Sequence, residues 1–193
     1  MGNTCRKALI LLAGMPGSGK SIFALKAKEY GFGIVSLGDI IREEAIKRKL
    51  VLDSKNMMSI AKELRRTYGK DIVARLALKR ILEMLNIHSI VIVDGIRNLE
   101  EVEFLKSNID AELIIVSIHA SPKTRFKRLV ERGRSDDPKD WESFLNRDYE
   151  ELSLGLGNVI ALSDVIIVNE GSLQEFHQLI ENFFDRVIKT WCT

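Results

Sequence analysis

The sequence predicts an α/β fold, a parallel sheet covered by helices on both faces, and three observations predict it. Residues 8–13, 90–93, 113–118 and 165–168 are short runs apolar on both faces, with residues 34–35 a weaker fifth. Continuous apolar runs of this length are the pattern of strands buried from two sides. Helical patterns fill the gaps between them, so the chain alternates strand and helix. The first run, KALILLA, leads directly into GMPGSGKS at residues 14–21, a glycine-rich stretch of the kind that joins a first strand to a first helix.

The elements follow in order. The first helix is expected to begin near Lys20, with Phe23, Ala24 and Ala27 turned inward. Between Val35 and Ile90 there is no good strand; residues 39–49, 54–67 and 70–85 all read helical, which makes a long helical insertion after the second strand. Asn98-Leu-Glu-Glu101 and Ser172-Leu-Gln-Glu175 read as capping boxes, in which the acid reaches back to the cap amide. Ser121 stands as a cap before Pro122 at the first helical position. The last helix carries Phe176, Ile180, Phe183, Val187 and Trp191 at helical spacing, a stripe that reads as core. Three prolines, no Ser/Gly-rich tract and no internal repeat leave no linker, so residues 1–193 are expected to form a single domain.

Composition excludes several function classes. With 29 basic and 27 acidic residues the net charge is +2, too small for a general polyanion binder, so there is no strong nucleic-acid signal. No apolar run approaches the length of a membrane span. The opening MGNTCRK has no apolar stretch behind a charged start, and Arg6 stands where a myristoylation signal wants Ser or Thr; neither a secretory leader nor a lipid anchor is expected. Cys5 and Cys192 have no zinc-ligand spacing. They are expected as free thiols in a reducing, cytoplasmic setting, with a bridge between the chain ends as the alternative. Oligomeric state is left open.

Residues 14–21 match G-x-x-x-x-G-K-[ST]. Glycines let the backbone fold around an anion with its N–H groups inward, and the following helix offers its positive end. Gly14, Met15, Pro16, Gly17, Ser18, Gly19, Lys20 and Ser21 are therefore candidates to bind ATP, with Lys20 reaching the terminal phosphates and the Ser21 hydroxyl holding Mg²⁺. A metal in such a site needs an acid. Asp94 closes the third apolar run, at the carboxyl edge where ligands gather, and Gly95 leaves room beside it.

Four further segments bear on identity: SLGDIIREE (36–44), VDGIRN (93–98), TRFKRLVERGRSDDP (124–138) and SDVIIVNEGSLQEF (163–176). With the P-loop they make the whole chain resemble the adenylate-kinase-like branch of P-loop nucleotide kinases, and within it an archaeal group described as adenylate-kinase-related or dephospho-CoA-kinase-like. The resemblance implies a five-stranded P-loop NTPase sheet in the order 2-3-1-4-5, a helical acceptor-binding insertion at residues 39–86 and a short lid at 122–150. On the first segment it implies Asp39 near the reacting phosphates and Arg42 on the acceptor; the plain alternative is a helix cap and a solvated arginine. In the second it implies Arg97 on the acceptor, although the family's proline is missing and Arg97 stands one residue nearer to Asp94. In the lid, Arg125, Arg128 and Arg132 share a helical face. Arg128, Arg134 and Arg147 are the candidates to neutralise the transferred phosphoryl group, with Arg132 behind them. Asn169, Glu170 and Gly171 would lie by the donor base, a position equally explained as a capped turn.

The expected acceptor is a nucleoside monophosphate, with two alternatives beside it. A nucleoside monophosphate would be clamped by Arg42 and Arg97 and needs no strong base. A hydroxyl acceptor, as in dephospho-CoA, needs a carboxylate for its proton, and Asp39 is the candidate. An ATP-dependent switch or ATPase acting with a macromolecular partner would use ATP to order the lid. In the insertion, Arg65, Arg66, Lys70, Arg75, Lys79 and Arg80 read as a solvated charged surface.

Overall fold

The computed structural model describes residues 5–134 and 137–192. The start of the chain, to which the leader and lipid-anchor readings belong, and Ser135 and Asp136 of the lid segment lie outside the described residues. The elements are β1 (Ala8–Ala13), α1 (Lys20–Glu29), β2 (Gly33–Ser36), α2 (Leu37–Lys47), α3 (Ser54–Tyr68), α4 (Ile72–Ile87), β3 (Ile90–Asp94), α5 (Leu99–Asn108), β4 (Glu112–His119), α6 (Pro122–Arg132), α7 (Trp141–Ser153), α8 (Leu156–Ala161), β5 (Val165–Val168) and α9 (Leu173–Trp191).

The five strands form one parallel sheet in the order β2-β3-β1-β4-β5, the order the resemblance implies. Every residue of β1 is buried, because its side chains alternate between two separate cores. Leu9, Leu11 and Ala13 join the face covered by α2, α3, α4, α5 and α8. Ala8, Ile10 and Leu12 join the face covered by α1 and α9, with Phe23, Phe176 and Phe184 fully enclosed. Register does the positioning: Leu12 lies opposite Asp94 of β3, and Asp94 lies opposite Ser36 of β2. Three strands thus end level with the loop that follows β1.

The insertion helices lie on the first of these faces, through Ile40 and Ile41 of α2, Ile60 and Leu64 of α3, and Val73 and Ile81 of α4. One alternative reading and one expectation are corrected. Asp39 is not a helix cap, because β2 runs straight into α2 and places Asp39 inside its first turn. Asn98 caps α5, accepting from the Glu101 amide at 2.9 Å, but Glu101 does not close the box. Its carboxylate takes the Arg97 amide and Arg65 instead. The Ser172–Glu175 box and the Ser121 cap are both present. Among the described residues no helix is long and apolar enough to cross a membrane.

The free-thiol expectation is also corrected. Cys5 and Cys192 are joined by a disulfide, brought together by an antiparallel bridge and by the Arg6 amide donating to the Trp191 carbonyl at 2.8 Å. Cysteine usage therefore does not argue for a reducing compartment. The bridge closes nearly the whole chain, with a sequence separation of 187, so it restricts the unfolded ensemble strongly. Reduction, or Cys5→Ser, is expected to lower the unfolding free energy by about 2–5 kcal/mol, read from denaturant midpoints with and without reductant. No change would show that the ends are not bridged in solution.

Candidate functional site

The glycine-rich loop leaves β1 at Gly14 and enters α1 at Lys20. Gly19 takes φ +114°, and a Cβ there would stand 2.5 Å from Asn169 Nδ2 and 2.9 Å from the Phe176 ring, so neither the backbone nor the space admits another residue. Lys20 Nζ donates to the Gly14 carbonyl at 2.5 Å and points toward that of Met15 at 3.4 Å. Burial pushes the Lys20 pKa down to about 8, and Arg97 adds to the effect. Pro16, Gly17, Gly19, Lys20 and Ser21 line a cavity of about 500 Å³, within the range of small-ligand sites. Gly14, Met15 and Ser18 do not line it: Ser18 is buried, and the Gly14 and Met15 carbonyls face Lys20 Nζ. Asn169 and Gly171, after β5, line the same cavity.

Asp94 reaches this cavity from the end of β3, and its Oδ1 is buried with no hydrogen-bond partner. Among the described residues no cluster of three or more His, Cys, Asp or Glu could hold a metal alone. One carboxylate and the Ser21 hydroxyl beside phosphate oxygens is nevertheless a donor set that Mg²⁺ takes, and the orphaned Oδ1 fits it.

A second cavity of about 420 Å³ opens on the other side of the β3 end. Its floor is apolar (Ile41, Met57, Ala61, Val73), and Arg42 and Arg65 stand at its sides. The two cavities share a wall made by Arg97, Arg134, Arg147 and Glu151. Arg97 is held by Glu151, with Nε 2.7 Å from Oε2 at angles outside hydrogen-bond geometry. Burial opposes the Arg97 charge, but Glu151, Asp94 and Glu101 more than offset it and hold its pKa above the ordinary value.

The arginines of residues 122–150 divide by what they touch. Arg125 is buried and structural: both guanidinium ends grip Asp148, at 2.8 and 2.5 Å, and Nη1 also donates to the Pro16 carbonyl at 3.2 Å. Arg128 lines the P-loop cavity and donates to Asn169, whose Nδ2 donates to the Ser18 carbonyl at 2.8 Å. Arg132 and Arg147 both contact the buried Asp137, and the Arg134 amide donates to the same carboxylate. Burial would raise the Asp137 pKa, but Arg132, the Arg134 amide and Arg147 hold it below the ordinary value.

Not every candidate reaches the cavities. Asp39 lines neither; its carboxylate pairs with Arg42 on the exposed side of α2. Arg65, expected on a solvated surface, is buried and pairs with Glu101 at 2.6 Å, while Arg66, Lys70, Arg75 and Lys79 do lie exposed. Despite that pair, burial lifts the Glu101 pKa above the ordinary carboxylate value. Glu151 and Asp137 were missed. The signal for Glu151 was its place four residues after Arg147, on the same helical face.

Residues 13–144 match the family model of the AAA domain. The UPF0200 protein of Thermococcus sibiricus is 44% identical over 180 residues, covering 93% of this chain and 95% of that protein. The chain belongs to the UPF0200 family. The UPF0200 chain is similar in fold to a gluconokinase from Sinorhizobium meliloti, with a TM-score of 0.58, 14% identity and 97% of each chain covered. It is also similar to the shikimate kinase of Bacteroides thetaiotaomicron, with a TM-score of 0.52, 14% identity, and 93% of this chain and 98% of that one covered. At that identity the likeness shows the fold, a P-loop kinase-like domain, and nothing of the substrate.

Proposed function

We propose that this chain is an ATP- and Mg²⁺-dependent phosphotransferase that moves the γ-phosphoryl group to a small acceptor, most simply a nucleoside monophosphate as in adenylate kinases. The observation that carries the reading is the shared wall. A P-loop cavity and a second, apolar-floored cavity meet at three arginines and one glutamate, as a direct transfer between two bound molecules requires. Lys20, Arg128, Arg134 and Arg147 supply positive charge around the transferred group, and positioning plus neutralisation is most of what such a reaction needs. Ser21 and Asp94 would hold Mg²⁺, which supplies further neutralisation of the phosphates. In this reading residues 39–86 are the acceptor side and 122–150 the lid.

An anionic acceptor is favoured over a hydroxyl by what lines the second cavity. Its polar wall is dominated by Arg42, Arg65, Arg97, Arg134 and Arg147, whereas Asp39, the candidate base, is turned onto Arg42. Asp39 is then a positioning residue for Arg42. The test is ATP turnover by the purified protein against nucleoside monophosphates, dephospho-CoA and shikimate-like alcohols. Stimulation by a monophosphate is expected. Stimulation by alcohols alone would move the assignment to a hydroxyl acceptor, and turnover indifferent to every acceptor would favour the ATP-dependent switch. Arg42→Ala is expected to raise the acceptor KM roughly ten-fold, the loss of one charged hydrogen bond, with the ATP KM unchanged.

A further inference from the structure

Arg97 lies one residue closer to Asp94 than the resembled pattern places it, yet it lines both cavities. Three contacts explain how. Its amide donates to Glu101 at 2.7 Å, and Glu101 is itself anchored on buried Arg65, which fixes the backbone. Its Nε is ion-paired with Glu151 from α7, 2.7 Å from Oε2 without hydrogen-bond alignment. Its Nη1 lies over Gly95, where a Cβ would approach to 3.3 Å, and is buried with no hydrogen-bond partner. A buried guanidinium nitrogen without an acceptor is costly, and a small turn of the side chain off Gly95 would present it to an oxyanion at the meeting of the two cavities. We infer that Glu151 is the positioning residue of the transfer site: by holding Nε of Arg97 it turns the Nη edge toward the phosphate oxygens where donor and acceptor meet. Glu151 sits on the helix that carries Arg147 and Asp148, so the same contact fastens the lid arm to the end of β3. The inference rests on the phosphotransferase reading and adds a residue to it.

The test does not need the acceptor. Arginine side-chain NMR is recorded on the full chain, with Arg97 assigned through Arg97→Lys, before and after adding the β,γ-imido analogue of ATP with Mg²⁺. In the wild type the Arg97 Nε–H is expected as a distinct signal, displaced by the Glu151 carboxylate beside it, and the analogue should shift its Nη signals. In Glu151→Gln, which preserves shape but removes the charge, the Nε signal should lose that displacement and the Nη response should be lost, while loop amides around Lys20 still report analogue binding. Transfer, or basal ATP hydrolysis, should fall roughly 10²-fold, the cost of a misplaced reacting group, with the ATP KM unchanged and partial recovery in Glu151→Asp. A wild-type Arg97 that ignores the bound analogue overturns the inference and leaves the phosphotransferase reading standing. Lost turnover with an unaltered Arg97 signature in Glu151→Gln also overturns it, in favour of direct proton transfer by Glu151. Failure of the analogue to shift the Lys20 loop at all would sink both.

Discussion

Lys20→Ala is expected to lower nucleotide turnover by roughly 10²–10³-fold or more, the cost of removing one preorganised charge from a developing oxyanion, and to leave the protein folded. Lys20 is the first residue of α1 and its Nζ rests on the Gly14 and Met15 carbonyls, so it can exchange those carbonyls for phosphate oxygens without disturbing the sheet. The variant tests charge rather than packing. Circular dichroism and a denaturant midpoint no lower than the wild type's would establish the fold, and the rate would then report the site. Wild-type turnover in a folded Lys20→Ala protein would remove the P-loop from the reaction.

The same lysine sets a pH dependence whose two signs differ. Its pKa in the free protein is about 8, against an ordinary 10.5. Protonated Lys20 attracts phosphate, so nucleotide affinity should weaken roughly ten-fold per pH unit as pH rises above about 8, until the higher pKa of the bound state is reached. Stability of the free protein runs the other way. The unfolded chain binds more protons between pH 8 and 10.5, so this residue's contribution to stability rises across that window. Lys20→Ala should flatten both slopes, which titration of ATP binding and of unfolding can each check.

The strands were legible because a parallel sheet covered on both sides requires unbroken apolar runs, and β1 and β5 begin and end where those runs do. The cradle was legible because its chemistry is local: glycines, lysine and hydroxyl stand within eight consecutive residues. What escaped depends on contacts across the chain. Arg65 looks like its neighbours Arg66 and Lys70 until Glu101, thirty-six residues on, draws it into the core. Asp39 looks like a cap because nothing in the spacing shows that β2 enters α2 without a loop. The two cysteines sit at opposite ends of the sequence, and only the crossing of the first and last segments brings them together. Glu151 and Asp137 lie among many other acids; spacing from Arg147 hints at Glu151, but only the arginines that the fold brings to them single out the pair.

Asp148→Ala is expected to cost about 3–5 kcal/mol, the penalty for stranding a buried charge. Arg125 is 3% exposed, and Asp148 accepts both of its guanidinium ends. The Phe144 ring lies 5.0 Å below the same guanidinium, and Phe126 and Trp141 complete the cluster between α6 and α7. With Asp148 gone, the Phe144 face, the Ala120 carbonyl and the Pro16 carbonyl remain, and none carries a neutralising charge. Since a domain is stable by only about 5–15 kcal/mol in total, equilibrium urea unfolding should show the loss plainly. The double variant Arg125→Met/Asp148→Ala separates the two causes. If the stranded charge dominates, the second substitution should recover much of the loss, because an apolar side chain in that place needs no counter-charge. Recovered stability should not bring recovered turnover: Arg125 also holds the Pro16 carbonyl of the loop, and methionine cannot. A single variant within 1 kcal/mol of wild type would show that water or a neighbouring group already screens Arg125, and that α6 and α7 are tied to the loop by something other than this pair.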